Sequence, residues 1–122
     1  MKKSKANNRF GLPEKALAGI KRIFSDYPDI EKVVLYGSRA KGDYREGSDI
    51  DLTIVGDRLT AEQFSHLQVA LDDLLLPYTI DLSLLRQIEN PDLLAHIARV
   101  GVVFYERQRP SSPASRMTAS TR

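Results

Sequence analysis

Apolar residues recur along three stretches of the chain at the spacing of three or four residues that is typical of amphipathic helices. The first predicted helix begins near Pro13 and ends before Pro28, because proline suits a first helical turn and disfavours continuation. The second begins at the capping-box spacing of 60–63, and the third runs from Asn90 to a cap at Gly101. The residues expected to face the core from these helices are Leu17, Ile20, Ile23, Phe24 and Tyr27, then Phe64, Leu67, Leu71, Leu74 and Leu75, then Leu93, Leu94, Ile97 and Val100.

Four shorter runs, rich in β-branched and aromatic residues, predict strands at 33–36, 49–55, 78–84 and 102–105. A short helix is expected between the first two strands, from Ser38 to about Lys41, with Gly42 closing it. Helices and strands therefore alternate along the chain. This order predicts an α/β fold, with a mixed sheet of about four strands and helices over its apolar face.

Side chains two residues apart on a strand lie on the same face of a sheet. In 49–55, the apolar residues at even positions are expected to face the core, which leaves Asp49 and Asp51 on the opposite face. The strand at 78–84 repeats the pattern, with Asp81 on the polar face. The alternation therefore predicts three carboxylates on one face of the sheet.

A chain of 122 residues, of which 42% are hydrophobic and 28% charged, is typical of one globular domain. We place the domain at 10–106 and expect flexible basic tails at 1–9 and 107–122. Cysteine is absent, which excludes disulfides and thiolate metal sites and is compatible with the cytoplasm, the location that we expect. No stretch of the sequence is long and apolar enough to predict a membrane span.

The net charge of +2 is unevenly distributed along the chain. The tails carry eight basic residues and no acidic ones, whereas 10–106 contains ten basic and sixteen acidic residues, a net of −6. A broad nucleic-acid surface needs clustered Lys and Arg on the folded domain, so direct nucleic-acid binding is not expected. The tails are expected to be solvated, although contact with RNA or an acidic partner stays open.

The three carboxylates are candidate metal ligands. On an extended strand, the Cα atoms of Asp49 and Asp51 lie about 6–7 Å apart, close enough for both side chains to reach one cation. A third carboxylate from a neighbouring strand makes an oxygen-rich corner suited to Mg²⁺ or Mn²⁺, and paired ions there could hold a triphosphate. Asp72 and Asp73 are alternatives to Asp81, but on a predicted helix they are expected to be solvated.

A turn of small residues, Gly37-Ser38, follows the first strand. Gly37 lets the backbone approach a phosphate because it has no Cβ, and Ser38 offers a hydroxyl and an N–H at the start of a helical turn. Arg39 and Lys41 add positive charge nearby. Each feature alone is commonly structural, since most Asp-x-Asp strands are solvated faces and most Gly-Ser pairs are plain turns. The functional interpretation depends on their placement together on consecutive strands.

Gly37-Ser38, ten intervening residues and Asp49-Ile50-Asp51 resemble the signature of the DNA polymerase β-like nucleotidyltransferases. The run GSRAKGDYREGSDIDL is most similar to their minimal stand-alone form, the MNT-domain proteins, and the resemblance covers about 33–104. It implies the polymerase β-like nucleotidyltransferase fold for the predicted domain.

The resemblance also implies roles for individual residues. Asp49, Asp51 and Asp81 would be catalytic and metal-binding, with Mg²⁺ or Mn²⁺ as cofactor, and the Gly-Ser turn would bind the phosphates of ATP. Asp81 is matched by strand order and facing rather than by a fixed spacing. The candidate nucleotide-binding residues within the run are Gly37, Ser38, Arg39 and Ser48.

Many members of this family pair with a HEPN-domain toxin, and there the MNT protein is an antitoxin that can transfer AMP from ATP to a tyrosine of the toxin. The resemblance therefore implies a HEPN partner in a hetero-oligomer. This chain lacks the HEPN signature, an Arg followed within a few residues by His-x-Tyr. We expect both histidines, His66 and His96, to be helix-surface residues.

Three functions are compatible with these residues. The leading hypothesis is an antitoxin that adenylylates a hydroxyl of its partner. The second is an antitoxin that inhibits its partner by covering it, without catalysis. The third is a nucleotidyltransferase acting on a small molecule such as an aminoglycoside, ranked lower because such enzymes usually carry a further helical domain and only about fifteen residues follow the last predicted strand here.

Overall fold

A single four-stranded sheet organises the computed structural model, which describes residues 9–108. The strands are β1 at Lys32–Tyr36, β2 at Ile50–Val55, β3 at Ile80–Leu84 and β4 at Val102–Glu106. Their order in the sheet is β3-β2-β1-β4. Strand β1 pairs antiparallel with β2 and β4, whereas β2 and β3 are parallel. The predicted mixed sheet of four strands is confirmed.

The helices begin where the capping signals in the sequence predict them. They are α1 at Glu14–Ser25, α2 at Ser38–Lys41, α3 at Ala61–Asp72 and α4 at Pro91–Val100, with 3-10 turns at Arg9–Gly11 and Leu85–Gln87. At the start of α3, the Thr60 hydroxyl accepts from the Gln63 N–H at 3.1 Å, and the Gln63 side chain accepts from the Thr60 N–H at 2.9 Å. The Asn90 side chain accepts from the Asp92 N–H at 2.8 Å, which fixes the first turn of α4.

Helices α1 and α3 cover one face of the sheet and enclose the core with it. The apolar positions that alternate along the strands are the ones that enter this core, as the period-2 pattern predicts. Its fully buried side chains include Ile20, Phe24, Val33, Leu35, Ile50, Leu52 and Leu67.

Helix α4 contacts the other face of β1, so the prediction that the helices lie over the apolar face is wrong for this helix. Val34 and Tyr36 alternate with the core residues of β1 and therefore face away from the core. The ring of His96, on α4, stands edge-on to Tyr36 with centroids 6.2 Å apart, and a Cβ at Gly101 would crowd the Val34 side chain. Helix α4 therefore lies over the face that carries the carboxylates.

Helices α3 and α4 bury fewer of their apolar residues than the sequence predicts. Leu75 was expected in the core but is 87% exposed, because α3 ends at Asp72 and Leu75 turns away with a φ of 54°. On α4, only Ile97 of the expected inward residues is buried, and Leu94 is 37% exposed. The apolar stripe of α4 is therefore only partly covered.

The folded domain extends slightly beyond the predicted boundary. The backbone N–H of Arg107 donates to the Glu31 carbonyl at 2.9 Å, and its guanidinium donates to the carbonyls of Tyr27 and Ile30. Arg107 is therefore part of the fold rather than of a flexible tail. The rest of the predicted tails, apart from Arg9 and Gln108, lies outside the described residues. Within 9–108, no helix has the length and apolar character that crossing a bilayer requires.

Candidate functional site

The carboxylates come together around the start of β2. Asp51 is the Cα partner of Tyr36 on β1 and of Asp81 on β3, so the parallel pairing places two carboxylates side by side on adjacent strands. Asp49 precedes the first residue of β2 and is exposed, as is Asp81, whereas Asp51 is half-buried. The three residues therefore share one face and one region of the sheet, as the alternation predicts.

Negative charge is concentrated at Asp51. Burial raises the pKa of its carboxyl above the ordinary value, and the nearby charges of Asp81 and Asp49 raise it further, while His96 acts in the opposite direction. Asp51 therefore carries a desolvated charge next to two like charges. A site of this kind favours a proton or a cation.

The three carboxylates have the donor chemistry that a divalent cation prefers, but their side chains are not placed around a common point in this structure. Three carboxylates are hard oxygen donors, which Mg²⁺ and Mn²⁺ prefer. Within residues 9–108, however, no three His, Asp or Glu side chains are placed so that they could hold a metal ion together. The predicted three-carboxylate cage is therefore not formed in this conformation. Because like charges repel, a cation that neutralises them would be needed to bring the three carboxylates together.

The Gly37-Ser38 turn touches this acidic group directly. Gly37 ends β1 with φ 77° and ψ −158°, a conformation that favours glycine, and α2 begins at Ser38. A Cβ on Gly37 would overlap the Asp51 carboxylate. Gly42 closes α2 in the left-handed region and donates its N–H to the Ser38 carbonyl at 2.9 Å. The structure thus brings the turn and Asp51 into contact, which a motif spacing by itself does not establish.

His96 belongs to this site, although the sequence analysis placed it on a helix surface. Its Nε2 accepts a hydrogen bond from the Gly37 N–H at 3.2 Å, across 59 positions in the sequence. A signal was available, because His96 lies three residues after Leu93 and four before Val100 and so borders the apolar stripe of α4.

Further polar side chains lie on the same face, from Tyr36 beside the turn to Thr53 and Ser83 farther along β2 and β3. Burial raises the pKa of the Tyr36 hydroxyl most, Ser83 beside it lowers that pKa, and the charges of Asp81 and Asp51 raise it further. Thr53 is fully buried, and among the described residues its hydroxyl has no hydrogen-bond partner. Sequence reasoning did not select Tyr36 or Ser83, because neither belongs to the motif.

Arg39, predicted as a nucleotide-binding residue, contacts the protein's own backbone in this structure. Its side chain is buried, with its Nε and Nη2 donating to the Ser48 carbonyl at 3.0 and 2.8 Å and its Nη1 donating to the Phe10 carbonyl at 2.9 Å. The guanidinium also lies between the rings of Tyr44 and Tyr78, 5.2 and 5.1 Å from their centroids. These contacts commit the buried guanidinium to backbone carbonyls and aromatic rings of the protein itself, which favours a structural role for Arg39.

Ser48, the other nucleotide-binding candidate within the loop, is also part of the scaffold. Its carbonyl accepts from Arg39, and its hydroxyl accepts from the Arg45 N–H at 2.8 Å. Ser48 therefore fixes the loop that leads into Asp49. Lys41 is exposed and pairs with Asp43 at 3.3 Å.

The chain is similar to known proteins in sequence and in fold. A family model described as "Polymerase beta, Nucleotidyltransferase" matches residues 18–110. A protein of Methanocaldococcus jannaschii, named "putative protein adenylyltransferase", is 64% identical over 28 residues, which are 23% of this chain and only 28% of that protein.

Solved toxin–antitoxin structures share the fold. A crystal structure of a toxin-antitoxin with AMP-PNP has a TM-score of 0.60 at 23% identity, over 75% of this chain and 74% of the other. A structure of a tri-AMPylated Shewanella oneidensis HEPN toxin in complex with an MNT antitoxin has a TM-score of 0.56 at 20% identity, over 77% and 72% of the two chains. The family model covers most of the chain and the solved structures reproduce its fold, so the chain belongs to the polymerase beta nucleotidyltransferase family.

Proposed function

We propose that this protein is an antitoxin that transfers AMP from ATP to a hydroxyl, the side chain of a tyrosine, on a HEPN-domain toxin and thereby neutralises it. The observation that carries the proposal is the contact between the Asp51 carboxylate and the Gly37 turn, since AMP transfer needs acidic groups beside a phosphate-binding turn. The names of the similar proteins, an adenylyltransferase and complexes of MNT antitoxins with HEPN toxins, support it. Because ATP is the substrate, we place the activity in the cytoplasm.

The proposed roles follow the positions of the residues. Gly37 and Ser38 bind the phosphates of ATP, because glycine permits close approach and Ser38 adds a hydroxyl donor. Asp49, Asp51 and Asp81 would hold Mg²⁺ or Mn²⁺, with their side chains moving so that their oxygens come together. When bound, the metal neutralises charge on the triphosphate and on the leaving pyrophosphate.

The transfer is a displacement at the α-phosphorus of ATP. The acceptor hydroxyl oxygen forms a bond to the α-phosphorus, and the bond from that phosphorus to the bridging oxygen of the β-phosphate breaks, so that pyrophosphate leaves with the electron pair. The proton of the hydroxyl passes to the Asp81 carboxylate. Asp81 is exposed, so a side chain of a second protein can reach it.

Label transfer tests this proposal. The protein is incubated with Mg²⁺, the product of the adjacent gene and ATP labelled at either the α- or the γ-phosphate. We expect the partner to be labelled from α-labelled ATP only, and Asp49→Asn or Asp51→Asn to reduce labelling by at least about a hundredfold. A matched control is the double variant Asp72→Asn, Asp73→Asn, whose carboxylates are exposed at the end of α3 and should not matter.

Two results would contradict the proposal. One is the absence of label on the partner from either nucleotide. The other is full neutralisation of the toxin, at one antitoxin per toxin, by the double variant Asp49→Asn, Asp51→Asn. The second result would establish an antitoxin that acts by covering its partner.

A further inference from the structure

The backbone N–H of Gly37 already has an acceptor, the imidazole of His96. The distance from the Gly37 nitrogen to His96 Nε2 is 3.2 Å, within the range of a hydrogen bond to nitrogen. The edge-on contact of the imidazole with Tyr36 holds the ring in this place. An amide has one hydrogen, so a phosphate oxygen that binds the Gly37 N–H competes with Nε2 for it.

Of the three longer helices, α4, which carries His96, buries the fewest side chains. It buries one, Ile97, whereas α3 buries two and α1 buries four. Ile97 is not among the residues of the core cluster, and Leu94 on the same helix is 37% exposed. Little apolar burial is therefore lost when α4 moves by the small distance that separates His96 from the turn.

We infer that His96 is a positioning residue that occupies the phosphate-binding N–H of Gly37 until ATP arrives, and that the bound phosphate displaces it. The inference rests on the proposed function, since it concerns the same turn. In the free protein, His96 accepts the hydrogen of the Gly37 N–H, so this donor is occupied before a phosphate binds. A phosphate oxygen must replace His96 Nε2 as the acceptor of the Gly37 N–H. The loss of the hydrogen bond to His96 therefore lowers the affinity for ATP by the contribution of one hydrogen bond.

Two substitutions separate this role from a general structural one. His96→Phe keeps an aromatic ring against Tyr36 but removes the acceptor. His96→Gln places an amide oxygen near the position of Nε2 and keeps the acceptor. Titration calorimetry with ATP at fixed Mg²⁺, and with inorganic tripolyphosphate, measures the binding, and thermal unfolding checks that each variant is folded.

We expect His96→Phe to bind ATP and tripolyphosphate about fivefold more tightly than the wild type, the factor that corresponds to a net hydrogen bond of about 1 kcal/mol. His96→Gln should bind both like the wild type. Equal or weaker binding by a folded His96→Phe variant would overturn the inference, because a residue that only supports the turn loses affinity when it is removed. If the wild type binds neither ATP nor tripolyphosphate, the proposed nucleotide site itself is wrong.

Discussion

At the scale of single residues, Asp51 connects the parts of the site. Its backbone pairs with Tyr36 and Asp81, and its carboxylate lies against Gly37. Burial and the charges of Asp81 and Asp49 disfavour the ionised form of the Asp51 carboxyl and raise its pKa. Active sites commonly retain such unfavourable charges, which reduce stability and serve chemistry.

Gly37 can be tested against a matched glycine. Gly37→Ala and Gly42→Ala both place a side chain at positive φ, 77° and 92°, and each should cost about 1–3 kcal/mol of stability. Only at Gly37 would the new Cβ overlap the Asp51 carboxylate, because nothing lies within 4 Å of a Cβ at Gly42. We expect AMP transfer to fall about a hundredfold in Gly37→Ala and to change little in Gly42→Ala. Equal losses of activity in the two variants would contradict a specific role for the Gly37–Asp51 contact.

The raised pKa of Asp51 predicts a pH dependence of stability. Because the pKa of Asp51 is higher in the folded state than in the unfolded state, the folded protein binds more protons between the two values. The contribution of Asp51 to the free energy of unfolding is therefore full below the unfolded pKa and is lost as pH rises through the folded one. Urea unfolding from about pH 3.5 to pH 7 should show this loss in the wild type and not in Asp51→Asn.

Asp81→Asn provides the control for that titration. It removes one of the charges that raise the pKa of Asp51, so it should reduce the loss of stability without abolishing it. At neutral pH, Asp51→Asn should be more stable than the wild type. Parallel curves for the wild type and Asp51→Asn would show that Asp51 has an ordinary pKa.

At the scale of elements, periodicity predicted the buried faces of β2 and β3 and most of the buried residues of α1, but not the contacts between elements. The face of β2 that carries Asp51 follows from alternation, and the start of α3 follows from its capping box. The partners of Arg39 lie at positions 10, 44, 48 and 78, and no local pattern encodes contacts over such separations. The burial of Arg39 therefore became visible only in the folded chain.

Arg39 is predicted to stabilise the junction between α2, the loop before β2 and the N-terminal turn. Arg39→Lys keeps the charge but loses the planar fork that donates to the carbonyls of Ser48 and Phe10, and we expect a loss of about 2–3 kcal/mol. Lys41→Ala, two residues away and exposed, should change stability by less than about 0.5 kcal/mol. Urea unfolding measures both. If Arg39→Lys keeps its stability but loses ATP binding, Arg39 is a phosphate ligand after all.

The turn after α3 stores backbone strain at Leu75, which has a φ of 54° and an 87% exposed side chain. Leu75→Gly should raise the free energy of unfolding by about 0.5–1 kcal/mol, because glycine adopts this φ without strain and little packing is lost. Val69→Gly, at an exposed position inside α3, should lower it by about 0.5–1 kcal/mol. A destabilised Leu75→Gly variant would show that Leu75 packs in solution.

At the scale of the whole molecule, the sheet topology brings the site together. Asp51 and Asp81 lie 30 positions apart, and the parallel pairing of β2 with β3 makes them neighbours. The sequence could predict their common face but not this pairing, because strand order depends on how the intervening helix crosses the sheet. His96 was missed for a related reason, since the side of the sheet on which α4 packs is a property of the complete fold.

The folded domain is acidic, and part of its charge lies at the site. Residues 10–106 carry a net charge of −6, and three of the carboxylates lie in one region of the sheet. A concentration of negative charge beside a turn proposed to bind phosphates would repel ATP. We therefore propose that divalent cations, held by the carboxylates of Asp49, Asp51 and Asp81, neutralise this charge and allow the triphosphate to bind beside the turn.

A crystal structure of the protein with Mn²⁺ and AMP-PNP tests this claim most directly, because the anomalous signal of manganese locates the ion without assumptions about its ligands. We predict an anomalous peak between the carboxylates of Asp49 and Asp51, within coordination distance of Asp81 or of a phosphate oxygen, and a triphosphate along Gly37 and Ser38. Manganese bound elsewhere, or a nucleotide that does not contact the Gly37-Ser38 turn, would contradict the account.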